Sequence, residues 1–126
     1  MDEMKKKFGQ QYLVELIGCQ AKKLEQVEDV RKVLMEAAKK SKAKVIKEFF
    51  HQFEPRGVTG IILIAESHFS IHTWPEDSYA AFDVLTCGEM DAQAAIEVLK
   101  KNFQAQRINV RVMDRGIIQE ENEGSK

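Results

Sequence analysis

Positive charge is not in surplus in this sequence: 19 Lys and Arg stand against 20 Asp and Glu, a formal net charge of −1. Nucleic acids and anionic membranes attract a basic excess, so neither is expected as a partner. Long hydrophobic runs are also lacking. Val58 to Ala65 is broken by Thr59 and Gly60, and no run reaches the roughly 18 residues of a membrane span. The first seven residues, Met1-Asp2-Glu3-Met4-Lys5-Lys6-Lys7, carry charge without an apolar segment, so no signal peptide is expected. Cysteine is scarce: Cys19 and Cys87 lie far apart with no Cys-x-x-Cys spacing, which points to a reduced, cytoplasmic compartment. Repeats, linkers and low-complexity segments are absent. What remains is 126 residues with 44% apolar and 31% charged side chains, the balance of one soluble domain with a modest core.

The apolar pattern divides this domain into eight elements. Tyr12 to Ile17 predicts a strand stopped by Gly18. From Leu24 to about Ser41, Leu24, Val27, Val30, Leu34, Ala37 and Ala38 recur every three or four residues, one face of an amphipathic helix. Lys44 to Phe53 predicts a strand, and Glu54-Pro55-Arg56-Gly57 a turn. Val58 to Ala65, His68 to Trp74 and Tyr79 to Thr86 are further strands, the last two joined by the turn Pro75-Glu76-Asp77-Ser78. Asp91 caps a second helix that buries Ala95, Ile96, Leu99 and Phe103. Arg107 to Met113 alternates as a half-exposed strand, and residues 1–9 and Gly116 onward read as polar ends. The order β-α-β-β-β-β-α-β predicts an α+β two-layer sandwich, an antiparallel sheet with two helices on one face. The other face needs a cover. A second copy is the simplest one, giving a homodimer in an αββα arrangement.

Polar and titratable groups crowd one strand-like stretch. Residues 65–76 hold Glu66, Ser67, His68, Ser70, His72, the lone Trp74 and Glu76. Singly, each has an ordinary reading: Ser67 a turn residue, His72 a structural histidine, Cys87 a small buried hydrophobe. Register links them. If Trp74 and Tyr79 face each other across their turn, Cys87 falls opposite Glu66, and Thr86 opposite Ser67. That places a nucleophilic hydroxyl and a proton-donating thiol at one end of the sheet. Ser67, His72 and Cys87 lack the orienting carboxylate of a hydrolase triad. His68 and His72 are roughly 13 Å apart along a strand, too far for one metal ion.

The residues Gly57-Val58-Thr59-Gly60, Glu66-Ser67-His68, Ser70-Ile71-His72-Thr73-Trp74-Pro75-Glu76, Tyr79-Ala80-Ala81, Asp83-Val84 and Thr86-Cys87-Gly88 closely resemble the bacterial and archaeal S-adenosylmethionine decarboxylase proenzymes. The likeness runs from about residue 8 to 116. It implies a pyruvoyl enzyme of spermidine synthesis that cuts itself between Glu66 and Ser67. Chains 1–66 and 67–126 result, the second beginning with a covalent pyruvoyl group made from Ser67. That group binds the substrate amine as a Schiff base and accepts the electrons left by CO₂. By the same resemblance, His72 takes the Ser67 α-proton during processing and Cys87 protonates the product. Thr59 stands where the family usually has Ser, keeping the hydroxyl that assists the acyl shift while stiffening χ1. Phe53, Trp74 and Glu76 fall at substrate positions; aromatic faces suit adenine and a sulfonium cation, and a carboxylate suits ribose. Two alternatives stay open at this point: the same scaffold acting on arginine or ornithine, and a non-catalytic binding homologue.

Strand geometry adds a constraint. Ser67 and His72 sit five residues apart on one strand, roughly 17 Å, beyond proton-transfer reach. Thr59 folds back beside His72. One chain therefore offers two half-sites, and a homodimer with each site shared between chains is expected.

Overall fold

The computed structural model describes residues 5–6, 8–87, 89–116 and 118–119. The motif glycine at position 88 lies outside them, as do most of the two polar ends. Six strands and two helices follow in the expected order: β1 (Gly9–Ile17), α1 (Val27–Lys40), β2 (Val45–Gln52), β3 (Val58–Ile64), β4 (Ser67–Trp74), β5 (Tyr79–Thr86), α2 (Ala92–Phe103) and β6 (Arg107–Arg115). The strands form one antiparallel sheet in the order β2-β3-β4-β5-β1-β6.

Period-two alternation decides which face is covered. In β3 and β4, Val58, Ile62, Ile64, Phe69 and Ile71 are buried, while Ile61, Leu63, His72 and Trp74 between them are exposed. The buried set meets Leu34 and Ala38 of α1 and Ile96, Leu99 and Phe103 of α2 in one core. Burying each large side chain is worth about 1.5–3 kcal/mol, which outweighs the weak local preferences along these strands. Asp91 caps α2, its side chain accepting from Ala94 N at 3.1 Å. Both helices therefore lie on one face, as the pattern predicts. The opposite face shows large apolar side chains to solvent, among them Leu13, Phe49, Ile61 and Leu63.

The structure corrects the sequence reading in three places. First, the helix expected from Leu24 is two pieces: a 3₁₀ turn over Ala21–Leu24, then α1 from Val27. Leu24 and Val27 are three apart, a spacing that suits a 3₁₀ turn as well as an α-helix, so periodicity alone runs through the break. Second, β1 starts at Gly9 rather than Tyr12, and β6 runs to Arg115, because the two pair along their whole length. Third, the ends are not wholly irregular: Lys5–Lys6 pairs with Ile118–Gln119 in a short ladder.

Two glycines have backbone reasons. Gly57 ends the loop after β2 at φ 113°, open to glycine and strained for other residues. Gly60 lies under Phe50, whose ring atoms would stand 2.3 Å from an added Cβ. The residue next to Thr59 is thus small because an aromatic ring occupies its side-chain space.

Candidate active site

The β4–β5 hairpin sets one half of the site. Trp74 faces Tyr79 and His68 faces Leu85, the register expected from the turn. Two residues further, beyond the ladder, the Cys87 thiol donates to the main-chain oxygen of Glu66 at 3.1 Å. A donor on that oxygen draws electron density from the carbonyl carbon and favours attack there. Ser67, the nucleophile expected from the sequence, opens β4, paired with Ile64 of β3. Among the described residues, its Oγ is the one side-chain oxygen or nitrogen that is shut from solvent without a hydrogen-bond partner. A buried hydroxyl without a partner is rare and calls for an explanation.

Backbone conformation singles out the same bond. Ala65 and Glu66 make the tight turn between β3 and β4, and Glu66 takes φ 70°. Glycine occupies that region freely, whereas a glutamate there costs on the order of 1–3 kcal/mol. A strained residue, a thiol on its carbonyl and an unpartnered hydroxyl on the next residue converge on one peptide bond. That environment suits an acyl shift, and it fits Ser67 as the source of a pyruvoyl group.

A second group of the expected site residues lies at the far end of β4. Thr59 pairs with His72 across β3 and β4, and Thr59 Oγ1 shares a hydrogen bond of 3.0 Å with His72 Nδ1. His72 is exposed on the open face and stands 6.1 Å from Trp74, ring to ring. Trp74 lies 5.4 Å from Tyr79. Burial and a hydrogen bond to Glu15 push the Tyr79 hydroxyl up to about 12, so it remains a neutral donor. Phe53 follows β2 and meets His51 edge to face at 4.6 Å, and Glu76 is exposed in the 3₁₀ turn after Trp74. Thr59, His72 and Trp74 are thus assembled together, with Phe53 and Glu76 on loops at their end of the sheet. Ser67 and Cys87 sit some 17 Å away at the opposite end of β4.

Cavities follow the same division. A cleft of about 300 Å³ opens beside Cys87, between Phe8, Tyr12 and Met90. A hollow of about 290 Å³ lies beside His72, between Ser70 and Asp83. Each is at the small end for a nucleoside-sized ligand. A hollow of about 820 Å³ lies on the helix layer and touches none of the motif residues. No group of three or more metal-ligating side chains occurs among the described residues.

The sequence reading passed over Asp83. It accepts hydrogen bonds from Ser70 and from Gln11, the latter at 2.9 Å, and its carboxylate lies 3.9 Å from His68. The signal was available: the register that places Cys87 near Glu66 also sets Ser70 opposite Asp83. Gln52 and Thr73, which bind main-chain groups behind Phe53 and Trp74, had no such signal, since their partners are distant in sequence.

Comparison with known proteins gives the family. A family model described as S-adenosylmethionine decarboxylase matches residues 10–116. The S-adenosylmethionine decarboxylase proenzyme of Pyrococcus abyssi is 42% identical over 111 residues, 87% of this chain and 80% of the relative. That of Sulfurihydrogenibium sp. is 42% identical over 122 residues, 96% of this chain and 92% of the relative. The crystal structure of the adenosylmethionine decarboxylase from Aquifex aeolicus superposes with a TM-score of 0.83 at 40% identity, covering 94% of this chain and 98% of that one. The Trypanosoma brucei AdoMetDC monomer shares the fold at a TM-score of 0.62 and 19% identity. On its motif residues, its fold and these likenesses, this chain belongs to the S-adenosylmethionine decarboxylase family.

Proposed function

We propose that the protein decarboxylates S-adenosylmethionine, yielding the aminopropyl donor for spermidine, and becomes active by cutting itself between Glu66 and Ser67. The observation that carries this reading is the 3.1 Å hydrogen bond from Cys87 to the Glu66 oxygen, beside the unpartnered Ser67 hydroxyl. Ser67 Oγ attacks the Glu66 carbonyl carbon, and the Cys87 thiol steadies the negative charge that gathers on the oxygen. The C–N bond breaks and an ester remains, with the Ser67 nitrogen now a free amine. Loss of the Ser67 α-proton to His72 expels the Glu66 carboxylate and leaves a dehydroalanine. Its hydrolysis releases ammonia. The resulting pyruvoyl group supplies an electrophilic carbonyl and an electron sink for decarboxylation. In turnover, Cys87 delivers the proton to the substrate carbon, while Phe53, Trp74 and Glu76 bind adenine, sulfonium and ribose. The relatives' names favour S-adenosylmethionine over arginine or ornithine.

Denaturing mass spectrometry tests the cleavage. Fragments 1–66 and 67–126 are expected, the second with a blocked, borohydride-reducible start; Ser67→Ala should stay whole. An active protein that remains one intact chain refutes the mechanism. Released CO₂, measured with each of the three amino-acid substrates, decides among them.

The site is shared between two chains in this proposal. Thr59 and His72 share a hydrogen bond but stand far along β4 from Ser67. The apolar open face supplies the surface on which a second copy docks in an αββα arrangement, its His72 end against the Ser67 end of its mate. Co-expressed Ser67→Ala and His72→Ala chains give one doubly defective site and one intact site. Cleavage should reappear in the His72→Ala chain; none in a purified heterodimer overturns sharing. The two unpaired cysteines, Cys19 and Cys87, suit the cytoplasm as the place of action.

A further inference from the structure

Phe53 stands at the start of a loop, where a ring on free backbone would be a poor wall for a ligand. The loop is not free. Gln52, the last residue of β2, fastens it with one side-chain amide. Its Oε1 accepts from Val27 N at 2.7 Å. Its Nε2 donates to Glu25 O at 2.8 Å, Phe53 O at 3.1 Å and Gly57 O at 3.2 Å. Two N–H groups shared over three carbonyls and one occupied acceptor leave the amide saturated. The main chain repeats the tie: Phe53 N donates to Gly57 O at 2.8 Å, and Gly57 N to Glu25 O at 3.0 Å.

Thr73 makes a parallel link two strands over. It is 7% exposed, donates to Leu24 O at 2.8 Å and accepts from Val58 N at 2.9 Å. The residue before Trp74 is therefore joined to Val58, which opens β3 directly after the Phe53 loop. Both links end on one short segment, residues 24–27, between the 3₁₀ turn and α1. The two aromatic positions of the substrate wall thus take their placement from a common anchor on the far side of the sheet.

We propose that Gln52 is a positioning residue for S-adenosylmethionine, setting the Phe53 ring before substrate arrives by fastening residues 53–57 to Glu25 and Val27. This rests on the reading of Phe53 as a substrate contact. Preorganisation acts on binding, because an ordered wall has less freedom to lose when ligand docks. It leaves self-cleavage alone: Gln52 pairs with Val58, whereas Thr59 pairs with His51 on the other face of β2.

The test uses purified, fully cleaved enzyme. Gln52→Ala should cleave completely yet show a KM for S-adenosylmethionine raised about tenfold, with kcat within about threefold of the parent. Gln52→Glu keeps the acceptor for Val27 N, loses the donors to three carbonyls and should show the same split. It carries the comparison if Gln52→Ala does not fold. Phe53→Ala should raise KM by itself, and adding Gln52→Ala to it should change KM little, since no ring remains to be positioned. Phe53→Ala with a parental KM overturns the substrate-wall reading and this proposal with it. Phe53→Ala raised but Gln52→Ala parental overturns the clamp alone, as does a Gln52 effect that persists undiminished without the ring.

Discussion

Glu66 carries a left-handed backbone on the carboxyl side of the turn, and the bond that follows it is the one proposed to break. Strain in the starting state lowers the barrier only if it is released along the reaction. Glu66→Gly removes the steric penalty, so cleavage should slow by up to about tenfold. Timed denaturing gels read the rate, and an unchanged or faster rate removes strain from the mechanism. The thiol is a second residue-scale test. Cys87→Ala deletes one donor to the developing oxyanion, so cleavage should slow by about 10²-fold yet run to completion, while most decarboxylation is lost or the product is wrongly protonated. The two cysteines also differ in environment: Cys87 is exposed and Cys19 is buried. Iodoacetamide on the folded protein should label Cys87 and spare Cys19. Burial pushes the Cys19 thiol from 9.0 to about 11. Between those values the unfolded chain ionises this thiol and the folded one does not. Its contribution to stability is therefore whole below pH 9 and is lost as pH rises toward 11. Chemical-denaturation midpoints should fall over that window in the parent and fall less in Cys19→Ala.

Among the elements, the β3–β4 pair carries the cleavage turn at one end and Thr59 with His72 at the other, so its packing should matter twice. Gly60→Val places branched carbons where the Phe50 ring lies and should destabilise by about 1–3 kcal/mol. It should also disturb Thr59 next door. Cleavage ought to slow in the folded fraction; an unchanged melting temperature would show the ring moves aside freely. Much of this layer was legible in the sequence. The apolar runs mark β3, β4 and β5, and the Pro75–Ser78 turn fixes a register that brings Cys87 to Glu66. Both follow from local rules of pleat and turn. The break after Leu24 was not legible, because the three-residue spacing fits both helix types. Nor was the Gln52 clamp, whose partners Glu25 and Val27 meet it only once the sheet and α1 are packed. The unpartnered hydroxyl of Ser67 is likewise a fact of packing that no spacing encodes.

At the scale of the molecule, the proposed shared site makes the open face decide whether either half-site works. Leu63→Asp puts a charge among exposed apolar side chains of that face without touching Ser67, Cys87, Thr59 or His72. A charge left unpaired in an interface weakens association strongly. Sedimentation should show monomer, circular dichroism an intact fold, and mass spectrometry an uncleaved chain; a cleaved monomer would locate the whole site within one chain. The strand order has a further consequence once the chain is cut. Residues 1–66 hold β1, β2 and β3, and residues 67–126 hold β4, β5 and β6. The fragments meet at the seams β3–β4, β5–β1 and β1–β6, and β1 lies between two strands of the other fragment. They are woven rather than stacked, so neither leaves without tearing the middle of the sheet. Maturation thereby changes the order of the refolding reaction. An uncut Ser67→Ala chain should recover its fold at a rate independent of concentration, whereas the cut protein must find its other half, and its recovery should quicken as the solution is made more concentrated.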